Sequence, residues 1–177
     1  QRGNVDQPGV KAPRGFPRWL SSDQSVSFKT EESGRRELAD RIAAKENPLT
    51  ARIYVNRLWS LFFGRGLVGS LSNFGALGDE PTHPELLDDL AVRFIKNNAS
   101  TKYLVREMVM SSTYRQSSLG DSDSLQKDPD NQWLSRMPRR RLSVEMWRDS
   151  LLAVSGNLHL KGGPSLELND PENVRRT

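Results

Sequence analysis

Asn47-Pro48-Leu49-Thr50-Ala51-Arg52-Ile53-Tyr54-Val55-Asn56-Arg57-Leu58-Trp59-Ser60-Leu61-Phe62-Phe63-Gly64 reads as one helix with both ends marked. Asn47 suits the N-cap, where its side-chain oxygen meets a backbone N–H that has no partner inside the helix. Pro48 suits the first helical position, because its ring presets φ and its missing N–H costs nothing there. Leu49, Ile53, Leu58, Trp59, Phe62 and Phe63 spread over a wide apolar face. Gly64 can close the helix in the left-handed conformation. A face that wide must be covered by other apolar faces, and the rest of the chain supplies them at helical spacing.

Upstream, residues 34–45 predict a short helix with Leu38, Ala39, Ile42 and Ala43 on one side. Downstream, Thr82-His83-Pro84-Glu85 has the spacing of a capping box in which Glu85 reaches back to the Thr82 N–H. Leu86, Leu87, Leu90, Ala91, Phe94 and Ile95 follow it at helical period. Ser100 is placed to cap a helix that buries Leu104, Val105, Met108 and Val109. Ser143 opens a last helix whose stripe is Val144, Trp147, Leu151 and Val154, with Gly156 after it. The expected fold is all-α: a compact domain of about five helices, without a convincing strand and without an internal repeat. Residues 64–81 and 117–138 exceed the usual helix–helix connection of ~2–8 residues, so both are expected to pack.

Residues 1–33 hold Pro8, Gly9, Pro13, Gly15 and Pro17 and then a serine-rich stretch, the composition of an extended arm. Phe16, Trp19, Leu20 and Phe28 are its candidate anchors. Residues 34–156 form the helical core domain. Residues 157–177, with Gly162-Gly163-Pro164 and Asp170-Pro171, form an irregular tail. The start at Gln1 and the end at Arg175-Arg176-Thr177 lead to the expectation that the chain is cut from a longer protein at both ends.

The chain of 177 residues is long enough for one core. Its 35% hydrophobic and 27% charged residues, with a mean hydropathy of −0.66, place part of it outside that core. No apolar run approaches the ~20 residues that span a bilayer. The absence of cysteine excludes disulfides, thiolate metal ligation, a Cys nucleophile and Cys-x-x-Cys-His haem attachment within this segment, so no cofactor is expected in it. A net charge of +4 permits an anionic partner without demanding one.

Gly64-Arg65-Gly66-Leu67-Val68-Gly69 matches the dinucleotide fingerprint letter by letter. That chemistry needs a strand before the glycines and a helix after them, so that pyrophosphate meets a helix N-terminus. Here they follow a helix, and the reading is helix termination and a tight turn. Ser124-Leu125-Gln126-Lys127 matches S-x-x-K but lies in a polar stretch with no companion motif, and is read as chance. His83 and Glu85 offer two metal ligands without a third, so no metal site is expected. Asp121, Asp123, Asp128 and Asp130 lack the central Gly and final Glu of a calcium loop and read as a solvated acidic loop.

The segment from Trp133 to Asp149 carries the densest candidate chemistry. Arg136, Arg139, Arg140 and Arg141 run into a helix with Glu145, Arg148 and Asp149. Guanidinium forks match phosphate, sulfate and carboxylate, and Trp133 adds a stacking plane. The first reading is a structural ion-pair network, with Arg141 and Glu145 one helical turn apart. The second is an anion-binding or partner-binding face.

Several strings then occur together and in order. They are Asn47-Pro48-Leu49-Thr50-Ala51-Arg52, Val55-Asn56-Arg57-Leu58-Trp59, Phe63-Gly64-Arg65-Gly66-Leu67-Val68, His83-Pro84-Glu85-Leu86-Leu87-Asp88, Ser112-Thr113-Tyr114-Arg115-Gln116-Ser117, Asp128-Pro129-Asp130-Asn131, Arg139-Arg140-Arg141-Leu142 and Arg148-Asp149. Through them the chain resembles the planctomycete-type cytochrome-associated C-terminal domain family, a domain of unknown function, over about residues 3–177. The resemblance implies a large exported protein with a planctomycete-type cytochrome c domain and a second domain of unknown function, in some members with carbohydrate-binding-like or immunoglobulin-like modules. Haem c is then expected in a neighbouring domain, and the periplasm, cell envelope or exterior as location. The family supplies no catalytic residues to carry over. Asn73 stands where the family pattern leads one to expect Asp, and the family's sequence is expected to continue past Thr177.

The leading functional reading is a non-catalytic interaction or scaffold domain. Its polar face would use Arg57, Arg115, Trp133, Arg139, Arg140, Arg141, Glu145 and Arg148 to dock a neighbouring domain of the same chain, such as the haem domain, or an anionic polysaccharide. The alternative is an enzyme domain acting on an extracellular sulfated or acidic polysaccharide, with Glu145, Asp149 or Glu85 as general acid or base. Nucleic-acid binding is the third reading, disfavoured by the modest net charge.

Overall fold

The computed structural model describes residues 31–160 together with Gly9, Val10, 14–17, Leu20 and Phe28. Most of the expected arm, including Trp19, and the tail beyond residue 160 lie outside the described residues. The helices are α1 (Arg35–Ala43), α2 (Pro48–Phe63), α3 (Pro84–Lys96), α4 (Thr101–Met110), α5 (Ser112–Arg115), α6 (Ser122–Lys127) and α7 (Val144–Val154). No strand occurs among the described residues, in keeping with an all-α fold. The chain divides into two compact units, Gln1–Pro138 and Arg139–Thr177.

In the first unit α2 organises the core. Asn47 caps it, accepting the Leu49 N–H at 3.0 Å, Pro48 stands at its start, and Gly64 closes it at φ 81 with its N–H on the Ser60 carbonyl at 2.9 Å. Ala51, Val55, Leu58, Trp59 and Phe63 are buried on one face, against α3 and α4. From α3 come Leu87, Leu90, Ala91 and Phe94, and from α4 Leu104 and Met108. Each such large side chain, fully buried, contributes roughly 1.5–3 kcal/mol. Trp59 stacks on Phe63 at 3.9 Å, and Tyr114 of α5 meets Phe62 and Phe63 edge-on at 6.1 and 5.7 Å.

Both long connections pack. Leu67 and Val68 are buried in the core between α2 and α3. The second connection contains α6 and brings Leu134 and Met137 against the core.

Two local expectations fail for identifiable reasons. The capping box at Thr82 does not form: the Thr82 N–H donates to the Leu67 carbonyl at 2.8 Å, its hydroxyl donates to the same oxygen at 3.2 Å, and His83 is the N-cap without a side-chain bond. A tertiary acceptor has displaced the local one. The α1 stripe is not buried, with Leu38 and Ile42 exposed. Instead α1 is tied by its C-terminal carbonyls: Asn47 Nδ2 donates to Ile42 O at 3.2 Å and Thr50 Oγ1 to the same carbonyl at 2.6 Å. Ser124-Leu125-Gln126-Lys127 lies in helix α6. Asp121 caps that helix and Lys127 pairs with Asp123 at 2.8 Å.

The second unit is described from residue 139 to 160 and holds α7. Ser143 caps it by accepting the Met146 N–H at 3.2 Å, and Gly156 follows at φ 76. The helix has no buried residue.

Candidate functional site

The glycine-rich turn is a structural device. Asn56 is fully buried on α2, and its carboxamide donates to Val68 O and accepts from Val68 N, both at 2.9 Å. Both polar groups of a buried backbone segment are thereby satisfied. A Cβ on Gly66 would stand 2.5 Å from Val68 O and 2.7 Å from Asn56 Nδ2, so the close approach requires glycine. The spacing of the dinucleotide fingerprint thus serves helix closure and this clamp.

The acidic stretch also has an internal use, and the reading of it as wholly solvated is corrected at Asp128. That residue is buried, and its carboxylate accepts the N–H groups of Gln132 at 2.7 Å and Trp133 at 2.8 Å. Arg136 donates to the carbonyls of Asp128 at 3.0 Å and Pro129 at 2.8 Å, while Asn131 Nδ2 donates back to Arg136 O at 2.7 Å. Asn131 and Leu134 take positive φ, 52 and 56, to turn the chain this tightly. Arg136 is therefore part of the loop's scaffold. The loop presents Trp133, which is 67% exposed. Asp121 accepts the Ser124 N–H at 2.8 Å, and this bond holds its carboxyl below its ordinary range.

The residues proposed for a polar face divide between the units. Arg57 on α2, Arg115 at the end of α5 and Trp133 belong to the first, and all three are exposed. Arg139, Arg140, Arg141, Glu145 and Arg148 belong to the second. There Arg139, Arg140 and Arg141 are exposed ahead of α7. The pair expected between Arg141 and Glu145 is absent among the described ion pairs, because α7 begins only at Val144 and the two are not one helical turn apart. Glu145 instead accepts from the Ser143 hydroxyl and its own backbone N–H, which hold its carboxyl below the usual range against the opposing effects of desolvation and Asp149. An ionised carboxylate in the first turn also meets the positive end of the helix. So held, it is a poor proton donor at neutral pH. Arg148 Nη1 lies 3.6 Å from Asp149 Oδ1.

The feature of α7 that sequence reasoning missed is the exposure of its apolar side. Val144, Trp147, Leu151 and Val154 were expected in the core, yet Trp147 is 57% and Val154 90% exposed, while the side chains of Arg148 and Asp149 are only 14% and 20% exposed. Leu142 and Met146 are exposed beside them. Periodicity finds such a stripe but is silent on what covers it.

Among the described residues no three His, Asp or Glu side chains gather as a metal site, and no helix is long and apolar enough to cross a membrane. His83 Nδ1 lies 3.0 Å from Thr82 Oγ1.

Compared with known families, residues 34–177 match the model PSD1, described as a protein of unknown function (DUF1553). No curated protein and no solved structure matches the chain.

Proposed function

The chain belongs to the PSD1 family of proteins of unknown function (DUF1553), and we propose that it is a non-catalytic interaction or scaffold domain of a larger, exported protein. Its partner in this reading is a neighbouring domain of the same polypeptide, with a haem c domain the first candidate and the periplasm or cell envelope the setting. The observation that carries the reading is the inverted exposure of α7, whose apolar stripe faces out while Arg148 and Asp149 are half-buried. Exposed apolar surface of this kind gains free energy when a partner covers it, at ~25 cal/mol per Å². The arginines at 139, 140 and 141 add charge at the rim, where it steers association more than it holds the complex.

Hydrogen exchange on this chain alone and within the longer protein tests the reading. Added protection over residues 139–154 in the longer protein, abolished by Trp147→Asp with Leu151→Asp, is the expected result. Equal exchange in both settings would reject an intramolecular partner. Retained protection in the double variant would reject this helix as the contact.

A further inference from the structure

We infer that the first unit carries a binding site for a flat apolar carboxylate, in the groove between the α1–α2 turn and the α3–α4 corner. This site is independent of the docking role proposed for α7. The groove encloses about 500 Å³, within the ~300–1,000 Å³ typical of small-ligand sites. Its aromatic wall is a stacked pair, Tyr54 and Phe94, with centroids 4.9 Å apart and planes inclined by 16°. The Tyr54 hydroxyl lies 2.6 Å from Thr101 Oγ1, so the ring is oriented in advance. It remains 38% exposed. Ala43, Ala44, Ala51 and Ala99 are among the residues that line the groove. Small residues beside a large, fixed ring leave a slot that a planar apolar body can fill, stacking on the ring in the offset manner aromatic pairs prefer.

The corner that closes the slot is also set in advance. Asn98 and Ala99 hold positive φ, 54 and 52, and the Ala99 N–H donates to the Phe94 carbonyl at 2.9 Å. Little ordering is left for a ligand to impose, which favours affinity.

Charge selects the polar end of the ligand. Lys45 is the one charged side chain among the described residues lining the groove, and no carboxylate lines it. Glu46, next in sequence, is exposed and outside the lining. A lysine lining an apolar slot matches a carboxylate on an apolar body. It repels an amine and leaves an uncharged analogue without its polar partner.

The test uses the full chain with ¹³C-labelled alanine, leucine and valine methyls, titrated with 2-naphthoate and, in parallel, with uncharged 2-naphthylmethanol. Saturable shifts at the Ala43, Ala44, Ala51 and Ala99 methyls with Kd below about 1 mM, at least about tenfold weaker for the alcohol and for Lys45→Glu, are expected. Unchanged methyl positions in ligand-free Lys45→Glu outside the groove show that the variant folds. Equal affinity for acid and alcohol, shifts at Leu151 and Val154 in place of the alanines, or no saturable shift each overturns the inference.

Discussion

The carboxamide of Asn56 closes on both backbone polar groups of Val68, donating to its carbonyl and accepting its N–H at 2.9 Å each, across twelve residues of sequence. This reciprocal pair joins α2 to the connection that follows it and places Leu67 and Val68 in the core. Asn56→Ala strands two buried groups, each costing ~1–3 kcal/mol. Denaturant unfolding is expected to show a loss of about 2–5 kcal/mol.

Asn56→Asp tests the donor half of the clamp. An ionised carboxylate there would face the Val68 carbonyl, in a buried site that raises its pKa. The folded state then binds a proton more tightly than the unfolded chain, so stability rises as pH falls and is lost as pH rises through the unfolded and up to the folded pKa. The variant is expected to be more stable at acidic than at neutral pH relative to the parent, and thermal melts across that range decide it.

Gly66→Ala places a methyl 2.5 Å from the Val68 carbonyl oxygen, and the backbone must move. A loss of about 1–3 kcal/mol is expected, whereas Gly9→Ala, with nothing within 4 Å of the new Cβ, should leave the melt unchanged. If the glycines served a dinucleotide, NAD or ATP would raise the melting temperature of the parent, and no such rise is expected.

Leucines separate core from surface. Leu104 is fully buried, and Leu104→Ala is expected to cost about 2–5 kcal/mol. Leu151→Ala removes a half-exposed side chain and should change the stability of this chain by less than about 0.5 kcal/mol. A large loss at Leu151 in chemical denaturation would show that this chain itself covers the stripe.

Ser143→Ala removes the hydroxyl that holds the Glu145 carboxyl below its ordinary range. The Glu145 pKa should rise towards that range in an NMR titration. In the parent, a depressed folded pKa means that the contribution is present above the unfolded pKa and fades as pH falls through the folded one. The fade should shrink in Ser143→Ala, with the backbone N–H of Glu145 left as the remaining lowering contact.

The ends of the helices were legible in the residues because their causes are local. Asn47, Pro48, Gly64, Ser100, Ser143 and Gly156 act on backbone groups within a few positions, and each stands where its chemistry placed it. The candidate polar face was less legible. Arg136 is drawn into the loop around Asp128, and Glu145 turns to Ser143 instead of Arg141. Spacing along a helix predicts a pair only when both residues lie within the helix, and Arg141 precedes it.

The sequence by itself determined the five longer helices, the caps of α2, α4 and α7 and the apolar stripes, since these follow from propensity and from neighbours within about one turn. Tertiary structure alone decided which stripes are covered. Those of α2, α3 and α4 bury one another, while those of α1 and α7 stay exposed within the described residues. It also decided that Thr82 binds Leu67 in place of Glu85, and that Asn56 turns inward to Val68. Each of these outcomes is a competition between a local partner and one brought near by packing, and a buried donor or acceptor takes the partner that leaves neither group unsatisfied.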